Sequence, residues 1–371
     1  MKLPAQVFTA APPIPLRASR YLEAFRCIDR LLSARRQLTT TALPSPSRPA
    51  QPRIPQRLLQ SNHQHHHQHH RRKPTPLTRP VPRRTMATKG AVDADLIEAA
   101  KRAACQQAVK DNFSPSFKYV GIGSGSTVAY VVEAIAALGP AVSAGMKFVP
   151  TGAGSTRLIR DAGLAVLQVP ELLAEVGFAG RPGASRQHLD IYFDGADEVD
   201  AELNCIKGGG ACLFQEKVVS RLSKKFICVA DSRKKADRLL SKWAYVPVEV
   251  SPIAAELVRQ ALIDLGSKDP VVRLAASTST YLITDNHNYL IDAPFPTLLL
   301  NSQAELIDPA NGLWTPDVLA AKIRGILGVL EVGIFSGLTG PQATAVGPDV
   351  EGVKPVKIYF GRADGGFETQ E

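Results

Sequence analysis

The sequence predicts an α/β protein, with a Rossmann-like parallel-sheet domain followed by a smaller ferredoxin-like α+β domain. Three observations carry this. Between residues 117 and 230, short apolar runs alternate with stretches of helical periodicity. Between 245 and 335 the order changes to strand-helix-strand-strand-helix-strand, and a last apolar run, Val353 to Tyr359, is free to return to the first sheet. The boundaries that follow are 86–244 with 336–371 for the first domain and 245–335 for the second, with residues 1–85 as a disordered basic extension.

Each element has a local reason. Asp93 is placed to cap a helix in which Leu96, Ile97, Ala100, Ala104, Ala108 and Val109 recur at helical spacing. Phe117 to Ile122 reads as a strand that enters the turn Gly121-Ile-Gly-Ser-Gly-Ser-Thr127, and an apolar helix follows from Val128 to Leu138. Lys147 to Pro150, Ala165 to Val169, Leu189 to Asp194 and Phe226 to Ala230 read as further strands, with helices over Thr156 to Asp161 and Ala211 to Leu222. Such alternation makes a parallel sheet covered on both faces, with ligands at the carboxyl ends of its strands. In the second domain, Tyr245 to Val250, Val271 to Leu274, Tyr281 to Thr284 with Tyr289 to Ile291, and Val329 to Phe335 read as strands. Ile253 to Leu265 and Pro316 to Ile326 read as helices, and Asp285-Asn-His-Asn288 as the hairpin turn.

Composition excludes several classes. At 371 residues, 44% hydrophobic and 21% charged, the chain buries a core and is not disordered throughout. Its richest apolar stretch, Val128 to Val142, is interrupted by Glu133, Gly139 and Pro140, so no membrane span is expected. Five cysteines without a CxxC pair argue against a disulfide framework and a structural zinc site, and fit a reducing compartment. The net charge of +10 is unevenly spread. Residues 1–85 carry 16 Lys and Arg against Glu23 and Asp29, whereas the remainder holds 28 basic and 32 acidic side chains. The body therefore has no electrostatic footprint for nucleic acid.

The extension also holds 13 of the 28 prolines and a His/Gln run from His63 to His70, a composition that does not offset the entropy of ordering. Leu16 to Leu38, rich in Arg and Leu, has the composition of a mitochondrial presequence. The alternative is a dispensable extension with Met86 as the functional start, and both readings stay open. The expected location is cytoplasmic, with a mitochondrial isoform if the extension is translated.

Three segments carry the chemistry. The turn from Gly121 to Thr127 lies between strand and helix, where backbone N–H groups and the helix dipole favour an anion. It lacks the spacing of a Walker A loop, Ser126 replaces the third glycine of a dinucleotide fingerprint, and no acid lies between Ala134 and Arg160 to take a ribose hydroxyl. Its hydroxyls, Ser124, Ser126 and Thr127, suit a small phosphate monoester, or else the segment is a plain capped turn. Asp194-Gly-Ala-Asp197-Glu198 follows an apolar strand and places carboxylates at the carboxyl end of the sheet. Proton handling by Asp194 and Asp197 is favoured over metal binding, since the body has only His188 and His287 to complete a ligand set. Glu198 reads as a cap residue. Finally, Lys207-Gly-Gly-Gly210 allows close backbone approach to a ligand, with a lysine to hold an oxyanion and Glu216 on the following helix as a base. Base, cation and further acids beside an anion turn suit proton abstraction next to a carbonyl.

In order and spacing, GIGSGST from Gly121, FDGADEVD from Phe193, IKGGGACLFQEKVV from Ile206 and FICVADSRKK from Phe226 resemble ribose-5-phosphate isomerase of the A type. The resemblance runs from about Ala94 through Val356 and includes Pro247 to Val250, Thr284 to Asn286 and Val332 to Phe335. It implies interconversion of D-ribose 5-phosphate and D-ribulose 5-phosphate through a cis-enediolate, without metal or organic cofactor, in a homodimer or homotetramer. It further implies that Glu216 moves the proton and Lys207 holds the enediolate oxygen, while Asp194 and Asp197 bind hydroxyls and assist ring opening. Ser124, Gly125, Ser126 and Thr127 would cradle the phosphate with Lys234 and Lys101, although Lys101 alone reads as solvent-facing. Gly195, Ala196, Gly208, Gly209 and Gly210 would line the substrate with backbone.

The chain departs from the pattern in a polar insertion from Gly177 to Gln187, in His287 where the family has glycine, and in longer stretches at Leu274 to Tyr281 and Asn301 to Trp314. An amino-sugar phosphate deaminase would not carry both DGAD and KGGG. A sugar-phosphate-sensing regulator would need a helix-turn-helix, which the proline-dense residues 1–85 do not offer. Since every matched motif follows Met86, a chain beginning there is expected to fold with full isomerase activity and to resist the protease that strips the extension from the long form. Loss of activity in that shorter chain would make the extension part of the enzyme.

Overall fold

The computed structural model describes residues 89–177, 186–348 and 350–371, with side chains from Asp95 onward. The extension 1–85, its presequence composition and most of the 177–187 insertion lie outside the described residues. Helix α1 (Lys89–Asn112) starts upstream of Asp93, which sits inside the helix rather than capping it. No proline separates Lys89 from Asp93, so nothing forces the helix to begin at the aspartate.

The parallel strands are β1 (Tyr119–Ile122), β2 (Lys147–Pro150), β3 (Ile191–Asp194), β6 (Phe226–Asp231) and β12 (Lys357–Gly361). β13 (Phe367–Gln370) pairs antiparallel with β12 at the edge. The order is β13-β12-β6-β3-β1-β2. From β1 the chain moves outward to β2 and then returns to the opposite side of β1 as β3, so the crevice between the carboxyl ends of β1 and β3 is the topological switch point.

Between these strands run α2 (Val128–Ala136), α3 (Pro140–Ser143), α4 (Ala153–Asp161), α5 (Val169–Glu175) and α6 (Leu213–Arg221). Ala104, Cys105, Ala108 and Val109 of α1 and Val128, Val131 and Ile135 of α2 pack on one face with Val120, Ile122, Ile191, Phe193 and Val229. On the other face Leu172 and Val219 pack with Tyr192, Phe226, Cys228, Ile358 and Phe360. The sheet strands β1, β3 and β6 are buried along their whole length, as expected of strands covered twice.

The segment Ala165 to Val169 is not a strand. It makes a single bridge, Phe148 to Val166, before α5 begins at Val169. Pro170 favours the first helical turn, and the Glu171 carboxylate accepts the Gln168 N–H at 2.7 Å, which turns the chain into a helix.

The second sheet has the order β10-β7-β9-β8, built from β7 (Val246–Val250), β8 (Val271–Val272), β9 (Tyr289–Ala293) and β10 (Val329–Val332). All its pairings are antiparallel. With α7 (Ala255–Asp264) and α8 (Pro316–Arg324) it forms the small ferredoxin-like unit, whose core joins Val246, Val248, Val258, Leu262, Ile291, Trp314, Leu319 and Ile323. Tyr281 to Thr284 contributes a bridge to Leu274 rather than a strand. His287 takes φ +62 in the turn, the left-handed conformation that favours glycine.

The run Val329 to Phe335 divides in two. β10 ends at Val332, and β11 (Ile334–Phe335) joins β5 (Cys205–Ile206) and β4 (Glu198–Val199) in a third, three-stranded sheet. Gly333 is the crossing point: its N–H donates to the Pro247 carbonyl at 2.7 Å and its carbonyl accepts the Lys207 N–H at 2.8 Å. A Cβ there would stand 2.2 Å from the Lys207 carbonyl oxygen. After α9 (Gly340–Val346) the chain returns as β12 beside β6. Gly333→Ala is expected to destabilise the fold by about 1–3 kcal/mol, as overpacking does. That lowers Tm by roughly 2–4 °C per kcal/mol in a domain of this size, measurable by calorimetry. An unchanged Tm would show that the crossing has room.

Candidate active site

Two turns meet at the switch point. The first leaves β1 with Gly123 N–H donating to Phe193 O at 2.8 Å, which ties it to β3. Gly123 lies flush against Asp194, and a Cβ would come within 1.9 Å of that carboxylate, so only glycine fits. The turn then passes through Gly125 at φ +106 to Thr127, the residue before α2. Among the described residues, no backbone carbonyl accepts from the N–H groups of Ser124, Gly125, Ser126 or Thr127. These donors sit at the positive end of α2, as an anion requires.

The second turn leaves β3 with Asp194, which is fully buried. Its Oδ1 accepts the Gly195 N–H at 2.7 Å, and its Oδ2 accepts the Tyr192 hydroxyl and faces Lys207 Nζ at 2.8 Å. Lys207 reaches in from the end of β5 and donates to Gly195 O at 2.6 Å. On its other side stands Glu216 Oε2 at 3.3 Å, on the first turn of α6. Glu216 Oε1 accepts the Ser124 hydroxyl at 2.6 Å, while Oε2 has no hydrogen-bond partner among the described residues. One carboxylate oxygen of Glu216 is therefore anchored and the other is left for chemistry.

The charges set each other's protonation. Burial, then the Asp194 carboxylate, push Glu216 up to about 7, against the pull of Lys207 and the Ser124 hydroxyl. Burial alone would lower the Lys207 ammonium, but Asp194 and Glu216 outweigh it and hold the lysine above its ordinary range. Asp197 is also raised, chiefly by burial, and is held down first by the Gly209 N–H, which donates to its Oδ2 at 2.7 Å.

A cavity of about 330 Å³ opens over this cluster. Ser124 to Thr127, Gly195, Ala196, Asp197, Lys207, Gly208, Gly210, Glu216, Lys234 and Lys101 line it. Asp194 stands behind the wall, and Gly209 contributes its N–H to Asp197 rather than cavity surface. Lys101 is not solvent-facing: it is 7% exposed and paired with Glu98 at 2.7 Å, because α1 packs across β6 and β12 with this face inward. Lys234 Nζ lies 5.0 Å from the Trp243 ring centroid.

Glu198 is the structural residue it was read to be. Its carboxylate accepts the N–H groups of Leu240, Ser241 and Lys242, away from the cavity. Sequence reasoning missed Asp231 and Arg233, which also line the cavity and pair at 2.7 Å. Asp231 ends β6 as Asp194 ends β3, so the criterion that selected one would have found the other.

The Glu216 titration is measurable by carbon-13 NMR of the carboxyl group, with an expected midpoint near pH 7. Asp194→Asn removes a raising charge and should lower the midpoint, whereas Lys207→Met removes a lowering one and should raise it. Because the folded value lies above the usual one, the folded state holds the extra proton between about pH 4.5 and 7. This group's stabilising contribution is complete below that window and is lost as pH rises through it. A midpoint near 4.5 would contradict the buried geometry.

Comparison with known proteins agrees with this geometry. Residues 147–347 match the family described as ribose 5-phosphate isomerase A (phosphoriboisomerase A). The chain is 44% identical over 243 residues to the ribose-5-phosphate isomerase of Mycosarcoma maydis, covering 65% of this chain and 76% of that protein. With the Schizosaccharomyces pombe protein of the same name it is 39% identical over 282 residues, 76% of this chain and 86% of the relative. Among solved structures, ribose 5-phosphate isomerase A from Methanocaldococcus jannaschii superposes with a TM-score of 0.55 at 27% identity, covering 74% of this chain and 99% of that one. A D-ribose-5-phosphate isomerase in complex with phospho-erythronic acid does so at 0.56 and 28% identity, with the same coverages. With four motifs converging on one cavity and the family matched over residues 147–347, the chain belongs to the ribose 5-phosphate isomerase A family.

Proposed function

We propose that the protein interconverts D-ribose 5-phosphate and D-ribulose 5-phosphate by proton transfer through a cis-enediolate, with no metal and no organic cofactor. The single observation that carries the mechanism is the Lys207 ammonium lodged between Asp194 and Glu216, beside an anion-binding turn. The phosphate sits against Ser124 to Thr127 with Lys101 and Lys234 in the same wall, which leaves the reacting carbons at the Lys207 end. A pentose phosphate matches the cavity of about 330 Å³.

Glu216 Oε2 takes the proton from C2 of the open-chain aldose. The electron pair moves through C1 onto the carbonyl oxygen, and Lys207 stabilises the resulting negative charge. The O2 proton passes to O1 with Asp197 in reach, and Glu216 returns its proton to C1, leaving a carbonyl at C2. Passing the proton directly from O2 to O1 needs both oxygens on the same side of the double bond, so the intermediate is cis. Asp194 holds Lys207 in place and keeps it charged. The lysine occupies the gap between the carboxylates where a divalent cation would otherwise sit, which supports a reaction without metal. A base near 7 is also matched to work at neutral pH.

Glu216→Gln is expected to lower kcat by about 100- to 10,000-fold, the usual contribution of a general base, while the variant still binds phospho-erythronic acid. The wild-type rate of ribulose 5-phosphate formation should be unaffected by EDTA. More than a tenth of wild-type turnover in the Gln variant would remove Glu216 as the base, and inhibition by EDTA would remove the metal-free reading.

A further inference from the structure

The small domain reaches the triple-glycine turn through Arg273, which follows β8 and lies outside the cavity wall. Its guanidinium is divided between two tasks. Nε and Nη2 grip the Asp292 carboxylate on β9, with Nε 2.9 Å from Oδ2. Nη1 donates out of the small domain to Gly208 O at 2.9 Å and to Gly209 O at 3.3 Å. The Gly208 carbonyl and the Gly209 N–H belong to the same planar peptide, so they point in opposite directions. That N–H is the one that meets Asp197 Oδ2 at 2.7 Å. A single peptide unit is thus held between a guanidinium on one edge and a cavity carboxylate on the other.

Such a clamp has a reason to exist. Three successive glycines impose little of their own on the orientation of the peptides between them, and Gly208 takes φ +111. Without an external hold, the peptide that presents its N–H to Asp197 would sample other orientations. Asp197 depends on that N–H, the foremost group opposing the effect of burial on its carboxyl. Arginine suits the task because its fork can hold Asp292 with one edge and the carbonyl with another, which a lysine ammonium does not do with fixed geometry.

We propose that Arg273 is a positioning residue that sets Asp197 for the reaction through the Gly208–Gly209 peptide, so that the small domain completes an active site it does not line. This rests on the reading of Asp197 as the carboxylate that handles the sugar's O–H protons. Asp292 holds the guanidinium in register and belongs to the same device.

The test is a double-mutant cycle of Arg273→Met and Asp197→Ala, read as kcat and KM for ribose 5-phosphate. Arg273→Met is expected to lower kcat by about 10- to 100-fold, the scale of an ångström-sized misplacement, with KM within about threefold because phosphate binding is untouched. In the Asp197→Ala background the same substitution should cost less than about twofold more, since its route to the chemistry has been removed. An equal loss of kcat in both backgrounds, a loss carried by KM, or no loss at all overturns the inference while leaving the assignment of Asp197 intact. An Asp197→Ala enzyme with wild-type kcat overturns that assignment and this inference together. If Arg273→Met does not fold, Arg273→Lys in the same two backgrounds gives the same readout, since one ammonium loses the fork.

Discussion

The site depends on one buried cation. Lys207 is 3% exposed, and an ammonium this deep survives only with compensating charge at contact distance. Asp194 and Glu216 supply it from either side. Two carboxylates against one ammonium leave an uncompensated negative charge, and its effect falls on Glu216, the more weakly held of the two. Asp194 is fixed by Tyr192, the Gly195 N–H and Lys207, whereas one Glu216 oxygen has no hydrogen-bond partner among the described residues. The electrostatic imbalance and the Glu216 oxygen without a hydrogen-bond partner are thus one feature. Three segments within 23 residues, the ends of β3 and β5 and the first turn of α6, fold back on one another to make it.

A second buried lysine shows that the partners, rather than the burial, decide the outcome. Lys217 follows Glu216 on α6 and is 1% exposed. Its Nζ donates to the carbonyls of Val332 and Ile334 at 3.0 and 2.6 Å, and the nearest carboxylate, Glu331, is 3.6 Å away. Burial lowers Lys217 to about 8, while Lys207, equally deep but in contact with two carboxylates, is raised. Both ammonium groups approach the Phe335 ring, whose centroid is 4.1 Å from Lys217 Nζ and 5.5 Å from Lys207 Nζ. Lys217 thereby fastens α6, the helix that carries Glu216, to the crossing at Gly333.

The hairpin turn of the small domain meets the helices beside the parallel sheet through polar contacts. The turn after Thr284 docks on two helices of the parallel-sheet domain: Asp285 accepts the Ala153 N–H of α4 at 2.7 Å, and Asn286 accepts the Gln215 side chain of α6 at 2.9 Å, one residue before Glu216. Behind it, the buried Glu249 accepts from Thr284 and Asn288 at 3.0 and 2.9 Å and holds the turn in shape. Directional hydrogen bonds of this kind favour one placement of the turn against the two helices. The small domain therefore acts as a frame for the start of α6, the triple-glycine turn and the crossing strand.

The sequence by itself determined the family, the residues that gather at the cavity and most of the elements. Glycine turns, carboxylates after buried strands and a base on the next helix are local patterns, and both periodicities are visible in one dimension. It also separated Asp197 from Glu198, one facing the cavity and the other capping the 240–242 turn. What it did not determine depends on neighbours far along the chain. Strands of two residues, such as β4 and β5, have no period to detect and exist only because they pair with each other and β5 pairs with β11. Val329 to Phe335 looks like one strand because apolar residues continue through it, yet Gly333 divides it between sheets under the constraint of the Lys207 and Pro247 backbones. Lys101 looks solvent-facing on a helix and is buried only because α1 lies across the strand ends. Arg273 carries no motif of its own, since its role lies in a peptide plane 65 residues upstream that only tertiary folding brings beneath its guanidinium. Local sequence selects residue types and periods; which charges meet, and which remain without a partner, is decided when the strands take their order.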